Sequence, residues 1–256
     1  MNPYRLFATL ILSLVNLATC HQHFQQPLIS TPLPILRNAT LNDADDIASV
    51  IIAAFSPTPS WQYIYQFYAS KPKEHHRCVR ASVIYALTSP EFHLEVIEAP
   101  AHAELGVAAG AAWQQNVEAG GRGMFMSRVA KDCQHRDMNL TRALDMERKS
   151  TAAMRKYVEE PFGVDQLYLD MIGVHPEYQL HGAGTRLVSR GVERGRKEGV
   201  NVTLVALPTS EGFYAHIGWR SWKNFTIESV DGDQEFRYNV MAYDFAEEES
   251  AAAWKL

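Results

Sequence analysis

One segment, residues 166–206, constrains the fold more than any other part of the chain. The apolar run QLYLDMIGV at 166–174 predicts a buried strand, and the turn HPEYQLHG follows it. The sequence AGTRLVSRGVERGRKEG at 183–199 predicts a helix that ends at Gly199. VNVTLVAL at 200–207 predicts the next strand, so the two strands are expected to be parallel neighbours in an α/β fold.

The predicted helix has one apolar face that is unusually rich in glycine. Glycine has no side chain, so it allows the helix backbone to approach the sheet closely. The residues that share this face are Gly184, Leu187, Val188, Gly191, Val192 and Gly195.

The turn QLHGAG between strand and helix is predicted to bind an anion. Several backbone N–H groups converge where a helix begins, and they carry its positive dipole. No Lys-Ser/Thr pair follows the glycines, and no G-x-G-x-x-G is present, so neither a P-loop nor a dinucleotide fingerprint is found. A pyrophosphate held without either motif indicates coenzyme A.

These residues resemble a known family. MIGVHPEYQLHGAGTRL is similar to the acetyl-CoA-binding motif of the GNAT N-acetyltransferase superfamily, with Gln179, Gly182 and Gly184 at the signature positions. LVALPTSEGFYAHIGW resembles the second motif of that superfamily, in which Tyr214 precedes a Gly-Trp pair. ILRNATLNDADDIASVIIAAF resembles its first strand and helix, so the likeness covers about 33–245.

The resemblance implies a fold and a set of cofactor contacts. The implied fold is an α/β, GNAT acyl-CoA N-acyltransferase fold, with a mixed, twisted sheet that splays between its fourth and fifth strands. Acetyl-CoA is the implied cosubstrate, and its pantetheine arm would pair with the backbone of Ile172, Gly173 and Val174. Gln179 and the amides of the turn would hold the pyrophosphate; these amides belong to Leu180, His181, Gly182, Ala183, Gly184 and Thr185.

The implied reaction is direct transfer of an acetyl group to an amine, which attacks only when neutral. By position, Tyr214 would donate a proton to the leaving thiolate, and a backbone N–H near Val174 would polarise the thioester carbonyl. Asp170 is the first candidate for the base. His175, Glu177 and His216 are weaker candidates.

The acceptor stays open at this point. Gln179 replaces the commoner arginine, and Val205 and Leu207 stand where relatives often have polar groups. The expected acceptor is a small-molecule amine. A protein N-acetyltransferase and a catalytically idle CoA-binding domain are the alternatives.

Charge and cysteine content limit the other partners. The net charge is −5 and the pI is near 6.1, and no basic stripe is visible, so nucleic acid is not expected as a partner. Cys20, Cys78 and Cys133 are too few and too scattered to predict a disulfide framework or a zinc site. EHHR at 74–77 is interpreted as a solvated helix face. No metal is therefore expected.

The chain is divided into a leader with a Pro-rich linker at 1–32, a domain at 33–245 and an acidic tail at 246–256. Within the domain, residues 131–159 are interpreted as a helical insertion with a solvated face. The leader resembles a secretory signal and is too short for a stable membrane span. The cysteine content favours the cytoplasm. A functional leader, together with use of the sequons at Asn38, Asn139, Asn201 and Asn224, would instead indicate a secreted glycoprotein. The oligomeric state is left open.

The remaining patterns predict the rest of the sheet and core. A strand is expected at 35–37, followed by a helix whose core face is formed by Ile47, Val50, Ile51 and Ala54. FHLEVIEA and LGVAAGAAWQ predict adjacent antiparallel strands, and Gly120, Gly121 and Gly123 predict a break after them. The motif DGD at 231–233 predicts a hairpin turn between the last two strands. The predicted core aromatics are Trp61, Tyr65 and Phe67, which could also form a lip over a ligand.

Overall fold

The computed structural model describes residues 34–101, 103–115 and 133–245. In this part of the chain the strands are β1 Leu36–Asn38, β2 Phe92–Glu98, β3 Val107–Gln114, β4 Gln166–Val174, β5 Asn201–Ala206, β6 Trp219–Glu228 and β7 Glu235–Tyr243. The helices are α1 Ala44–Phe55, α2 Pro59–Ile64, α3 Pro72–Thr88, α4 Leu140–Met154, α5 Glu160–Phe162, α6 Ala183–Glu198 and α7 Glu211–His216. A π-helical turn at Arg155–Glu159 joins α4 to α5.

All the described strands form one sheet in the order β1-β2-β3-β4-β5-β7-β6. Within it β4 and β5 are parallel, and the other neighbouring strands are antiparallel. The sheet is therefore mixed and flanked by helices, and the predicted fold class is confirmed. The parallel pair expected from 166–206 and the antiparallel pair β2–β3 are both present.

The two faces of the sheet carry separate apolar cores. Alternate side chains of a strand point to opposite faces, so neighbouring Val96 and Ile97 enter different cores. Helices α1 and α3 cover the first face, where Ile47, Val50 and Ile51 are buried as the sequence predicts. Helix α6 covers the second face with the predicted apolar stripe.

Two glycines of α6 lie so close to the sheet that no side chain would fit. A Cβ at Gly191 would lie 1.9 Å from Cζ2 of Trp113, and one at Gly195 would lie 2.1 Å from Cγ2 of Val202. Trp113 is fully buried and cannot move aside. The glycines therefore set the distance of α6 from the sheet, as the sequence predicts.

We expect the substitution Gly191→Ala to destabilise the fold, because overpacking a core costs about 1 to 3 kcal/mol and the 1.9 Å approach to the Trp113 ring places this site at the upper end of that range. This cost exceeds the roughly 1 kcal/mol that alanine gains in helix propensity. Gly212→Ala in α7 is the control, because a Cβ there meets no heavy atom within 4 Å. Urea unfolding of both variants measures the difference. Equal stability of the two variants would contradict the close approach of α6.

An ionic cluster fixes the start of α1 against the sheet edge. Arg37 on β1 binds Glu98 of β2 at 2.7 Å and contacts both carboxylate oxygens of Asp43 at 2.8 and 2.9 Å. The hydrogen bond from Arg37 holds the pKa of Asp43 at about 2. Asp43 also accepts from the backbone and hydroxyl of Thr40 at 2.7 and 2.8 Å.

A carboxyl group with a lowered pKa stabilises the fold above its unfolded pKa and loses this contribution as it is protonated. Wild type should therefore lose stability as the pH falls from about 3.8 to about 2. Asp43→Asn lacks this carboxylate, so it should be less stable than wild type at neutral pH and should not show this loss. The free energy of unfolding, measured against pH, tests this. Asp165→Asn, at an exposed turn, should leave the wild-type profile unchanged.

The interpretation of the cysteines was wrong. Cys78 and Cys133 form a disulfide with a Cα–Cα distance of 5.6 Å, although they lie 55 residues apart in sequence. They meet because the chain that follows Cys133 runs along α2 and α3. Backbone hydrogen bonds hold it there, from Phe67 to Asp137 at 2.9 Å and from Asn139 to Ile64 at 2.8 Å.

Two further predictions were wrong: the solvated face at 74–77 and the core position of Phe67. His75 in the EHHR stretch is 1% exposed and its Nδ1 lies 2.6 Å from Oδ2 of Asp137, so this part of α3 is not a solvated face. Trp61 and Tyr65 are buried as predicted. Phe67 is 43% exposed and does not belong to the core, because the chain turns into a short 3-10 segment after it.

Several predictions lie outside the described residues: the leader and linker at 1–32, Cys20, the glycines at 120, 121 and 123, and the tail at 246–256. Part of the predicted helical insertion is α4. It is not only a solvated face, because Met146 and Met154 are buried. Within the described part of the chain, no helix has the length and apolar character needed to cross a bilayer.

Candidate active site

The centre of the site is a gap between β4 and β5. The two strands pair from Gln166 with Asn201 to Leu169 with Leu204. Beyond that pair β4 continues to Val174, still bound to β3, and β5 continues to Ala206, still bound to β7. The two strands therefore separate at their carboxyl ends, as the resemblance implies.

The inner edge of β4 presents backbone groups to this gap. The His175 N–H donates to the Ala108 carbonyl at 2.9 Å. Hydrogen-bonded pairs alternate along an antiparallel ladder, so the N–H and C=O groups of Ile172 and Val174 point away from β3. Nε2 of Gln179 donates to the Val174 carbonyl at 3.2 Å and thus ties the end of β4 to the following turn.

Asp170 lies at an irregularity of β4. Ala112 faces Met171 and Trp113 faces Leu169, so Asp170 is the extra residue of a β-bulge. A bulge bends its strand and turns the extra side chain out of the regular alternation. Here it places Asp170 in the wall of a cavity, next to Met171.

The turn before α6 presents a cluster of backbone N–H groups. Leu180 and Gly182 have φ values of 64° and 80°, and the Leu180 side chain is fully exposed. The first helical bond runs from the Arg186 N–H to the Gly182 carbonyl at 3.0 Å, so the N–H groups of residues 183–185 have no partner within the helix. A Cβ at Gly182 would meet no heavy atom within 4 Å, so the mouth of the helix is open. His181 is exposed, and its Nδ1 lies 2.6 Å from the Gln179 carbonyl oxygen.

Tyr214 lies on α7 beside this turn. Its ring is 5% exposed and packs at 5.8 Å from Trp219, and the neighbouring Phe213 lies close to Gly184. Burial raises the pKa of the Tyr214 hydroxyl. The phenol therefore stays protonated at neutral pH and can donate a hydrogen bond.

A cavity of about 200 Å³ lies on the first face of the sheet, beside the gap. Its wall includes Asp170 of β4 together with Val205 and Leu207, which follow the last β4–β5 pair. The wall is mainly aromatic and aliphatic; its apolar members include Phe55, Trp61, Ile64, Met138, Leu144, Met146, Met154, Met171, Phe225 and Ile227. Val205 and Leu207, which the sequence analysis singled out, therefore both line this cavity.

Two polar residues of this wall were not predicted from the sequence. His135 and Glu147 line the cavity, whereas the alternative base candidates His175, Glu177 and His216 are not among its lining residues. The signal for His135 was present in the sequence as Cys-x-His-x-Asp at 133–137. Its depth inside the fold could be seen only in three dimensions.

Comparison with known proteins agrees with this geometry. Residues 147–219 match the Acetyltransferase (GNAT) family. The structure is similar to a histone acetyltransferase HPA2 and related acetyltransferase from Corynebacterium glutamicum ATCC 13032, with 17% identity, coverage of 82% of this chain and 95% of that chain, and a TM-score of 0.51. A search of curated proteins found no match.

Two further solved structures are also similar. One is an N-acetyltransferase from Staphylococcus aureus Mu50, with 15% identity, coverage of 81% and 99% and a TM-score of 0.47. The other is a GCN5-related N-acetyltransferase from Rhodopseudomonas palustris, with 14% identity, coverage of 83% and 96% and a TM-score of 0.46.

The resemblance to the GNAT superfamily is thus confirmed, since residues 147–219 match the model of that family. This segment contains β4, the open turn and α7, the elements that form the gap. The family match supports an acyltransferase.

Proposed function

We propose that this protein is an N-acetyltransferase that moves an acetyl group from acetyl-CoA to the amine of a small, largely apolar molecule. The observation that carries the proposal is the gap between β4 and β5, with an open amide turn after one strand and a carboxylate-bearing cavity beside it. Each feature matches one part of the two substrates.

The part of the site that would bind acetyl-CoA consists mainly of backbone groups. The amides from Leu180 to Thr185 suit the pyrophosphate, since the mouth of α6 is open and carries the positive end of the helix dipole. The inward-facing backbone of Ile172 and Val174 suits the pantetheine amides, which would add to β4 as a further strand. Gln179 already donates a hydrogen bond to the Val174 carbonyl, so its role here is to hold the end of β4 in position.

The transfer step uses Asp170 and Tyr214. The carboxylate of Asp170 takes a proton from the ammonium group, directly or through water, and the neutral amine attacks the thioester carbonyl. The Val174 N–H polarises that carbonyl. The C–S bond then breaks, and the Tyr214 hydroxyl stabilises the departing thiolate by a hydrogen bond. The nitrogen of the new amide loses its extra proton, and the thiolate takes up a proton to become the free thiol of CoA.

The cavity is the part of the site that would bind the amine acceptor. A volume of about 200 Å³ accommodates a small molecule, and its aromatic and methionine wall favours an apolar body. Asp170 supplies the charge that attracts the ammonium end. An arylalkylamine or alkylamine fits this combination better than a polyamine or an aminoglycoside, which would leave several polar groups unpaired.

We expect Gly182→Ala to weaken acetyl-CoA binding at least tenfold, because the new methyl group would stand at the open mouth of α6. Gly199→Ala at the other end of α6 is the matched control. Both glycines have positive φ, 80° and 69°, and in neither case would a Cβ meet an atom within 4 Å. Isothermal titration with acetyl-CoA should therefore separate the two variants even though both carry the same backbone strain. No binding by wild type at high micromolar ligand would refute the proposed function.

We expect Tyr214→Phe to lower kcat about 10- to 100-fold, as one hydrogen bond to a charged group is lost. Asp170→Asn should lower it about 100-fold or more, because a proton acceptor is lost. Both variants should keep the wild-type affinity for acetyl-CoA. Tyr157→Phe is the control, because Tyr157 lies on the π-helical turn and packs on Phe225, and the proposed mechanism gives it no role. Free thiol release across a panel of small amines provides the rates.

The same panel tests the alternatives. Binding of acetyl-CoA without thiol release from any amine or peptide would indicate an idle CoA-binding domain. Turnover with peptides and with none of the small amines would indicate a protein N-acetyltransferase. An unchanged rate in Tyr214→Phe with every productive acceptor would remove this residue from the mechanism.

A further inference from the structure

A second cluster of reactive side chains lies inside the fold, between α3 and the chain before α4. We name it the Cys-His-Asp cluster; it consists of Cys78, Cys133, His135 and Asp137. These residues are between 0% and 9% exposed. One ligand atom each of Cys78, His135 and Asp137 lies within 4.8 Å of the others, and Cys133 is bonded to Cys78.

This cluster has unmet hydrogen-bonding capacity. Both ring nitrogens of His135 and Oδ1 of Asp137 are buried, and none of these three atoms has a hydrogen-bond partner among the described residues. Burying a polar group without a partner destabilises the folded state. His135 also has a φ of 46°, a strained conformation for a residue other than glycine. Backbone strain and unpaired buried groups at one place are typical of a ligand-binding site.

We propose that the reduced protein binds one zinc ion through Cys78, Cys133, His135 and Asp137. Two sulfur ligands, one imidazole and one carboxylate give the four-coordinate, tetrahedral set that zinc prefers. The thiolates select a soft or borderline metal over magnesium or calcium. The ion would use the His135 nitrogen and the Asp137 oxygen that have no hydrogen bond.

The disulfide and the metal site exclude each other. A dithiol reductant transfers two electrons and two protons to the Cys78–Cys133 bond, forms its own disulfide and leaves two thiols. Zinc then replaces the two thiol protons, which are released to solvent. The oxidised chain retains only His135 and Asp137 as ligands, so its affinity for the metal should be far lower.

The geometry requires only a small contraction. The bond lengths of zinc place tetrahedral ligand atoms about 3.3 to 3.8 Å apart. The ligand atoms of Cys78, His135 and Asp137 lie within 4.8 Å of one another, so movements of about 1 Å bring these three to that spacing. Reduction of the disulfide separates the two sulfurs and frees Sγ of Cys133 to take the fourth position.

His75 is a positioning residue for this site. Its Nδ1 lies 2.6 Å from Oδ2 of Asp137, so it fixes this carboxylate and leaves Oδ1 without a hydrogen bond. The ring of His75 is held by Trp61, Tyr65 and Tyr68, with centroids 5.4, 4.7 and 5.4 Å away. A hydrogen bond of this kind to a metal-binding carboxylate contributes about 10- to 100-fold in metal affinity.

Cobalt titration tests the proposal, because cobalt reports thiolate ligands by its visible and near-ultraviolet absorption. The full chain with Cys20→Ser, reduced by a phosphine, should bind one cobalt ion per chain with thiolate charge-transfer bands, and zinc should displace it. The oxidised chain should show no such bands. Cys133→Ser and His135→Ala should lose them, His75→Gln should bind about 10- to 100-fold more weakly, and His76→Ala, the neighbour on α3, should bind like wild type.

Three results would overturn the proposal: no charge-transfer bands in the reduced chain, equal binding in the oxidised chain, or unchanged binding in Cys133→Ser. Circular dichroism accompanies each titration. If reduction unfolds the chain and neither cobalt nor zinc restores the fold, the proposal also fails. The readout does not depend on acetyl transfer, so it is separate from the test of the proposed function.

Discussion

The separation of β4 from β5 is the constraint on which the rest of the site depends. Each strand stays hydrogen-bonded to its outer neighbour, β4 to β3 and β5 to β7. The pairing between β4 and β5 therefore ends at Leu169 and Leu204. The inner edges are thus left with backbone groups that water or a ligand strand must satisfy. The β-bulge at Asp170 comes directly after Leu169, and it places the Asp170 carboxylate in the wall of the cavity beside the gap.

The position of α6 on the sheet determines where the proposed anion site lies relative to this gap. Because Gly191 and Gly195 bring the helix onto Trp113 and Val202, the axis of α6 is fixed with respect to β4 and β5. The amides that begin the helix are therefore held at the end of β4, where Gln179 ties the turn to Val174. Residues that never touch the cosubstrate thus determine where its pyrophosphate would lie.

Sequence reasoning succeeded where the signal is local. The bounds of β4, the end of α6 at Gly199 and the face of α1 follow from periodicity and capping within short windows. It failed at contacts between distant segments. Cys78 and Cys133 are 55 residues apart, and His75 and Asp137 are 62 apart, and no pattern within either segment shows that they meet. The bulge that aims Asp170 is likewise a property of the pairing with β3 rather than of β4 alone.

The two parts of the proposed site differ in how they are built, and this explains why the sequence contains a motif for a cosubstrate and none for an acceptor. The part proposed to bind acetyl-CoA comes from one continuous strand-turn-helix segment and would act through its backbone. The acceptor cavity is walled by side chains of α2, α4 and several strands, with His135 and Met138 contributed by the chain beside the disulfide. If the cavity binds the acceptor as proposed, its choice is set by packing between segments far apart in sequence, and the Cys78–Cys133 disulfide lies next to that wall.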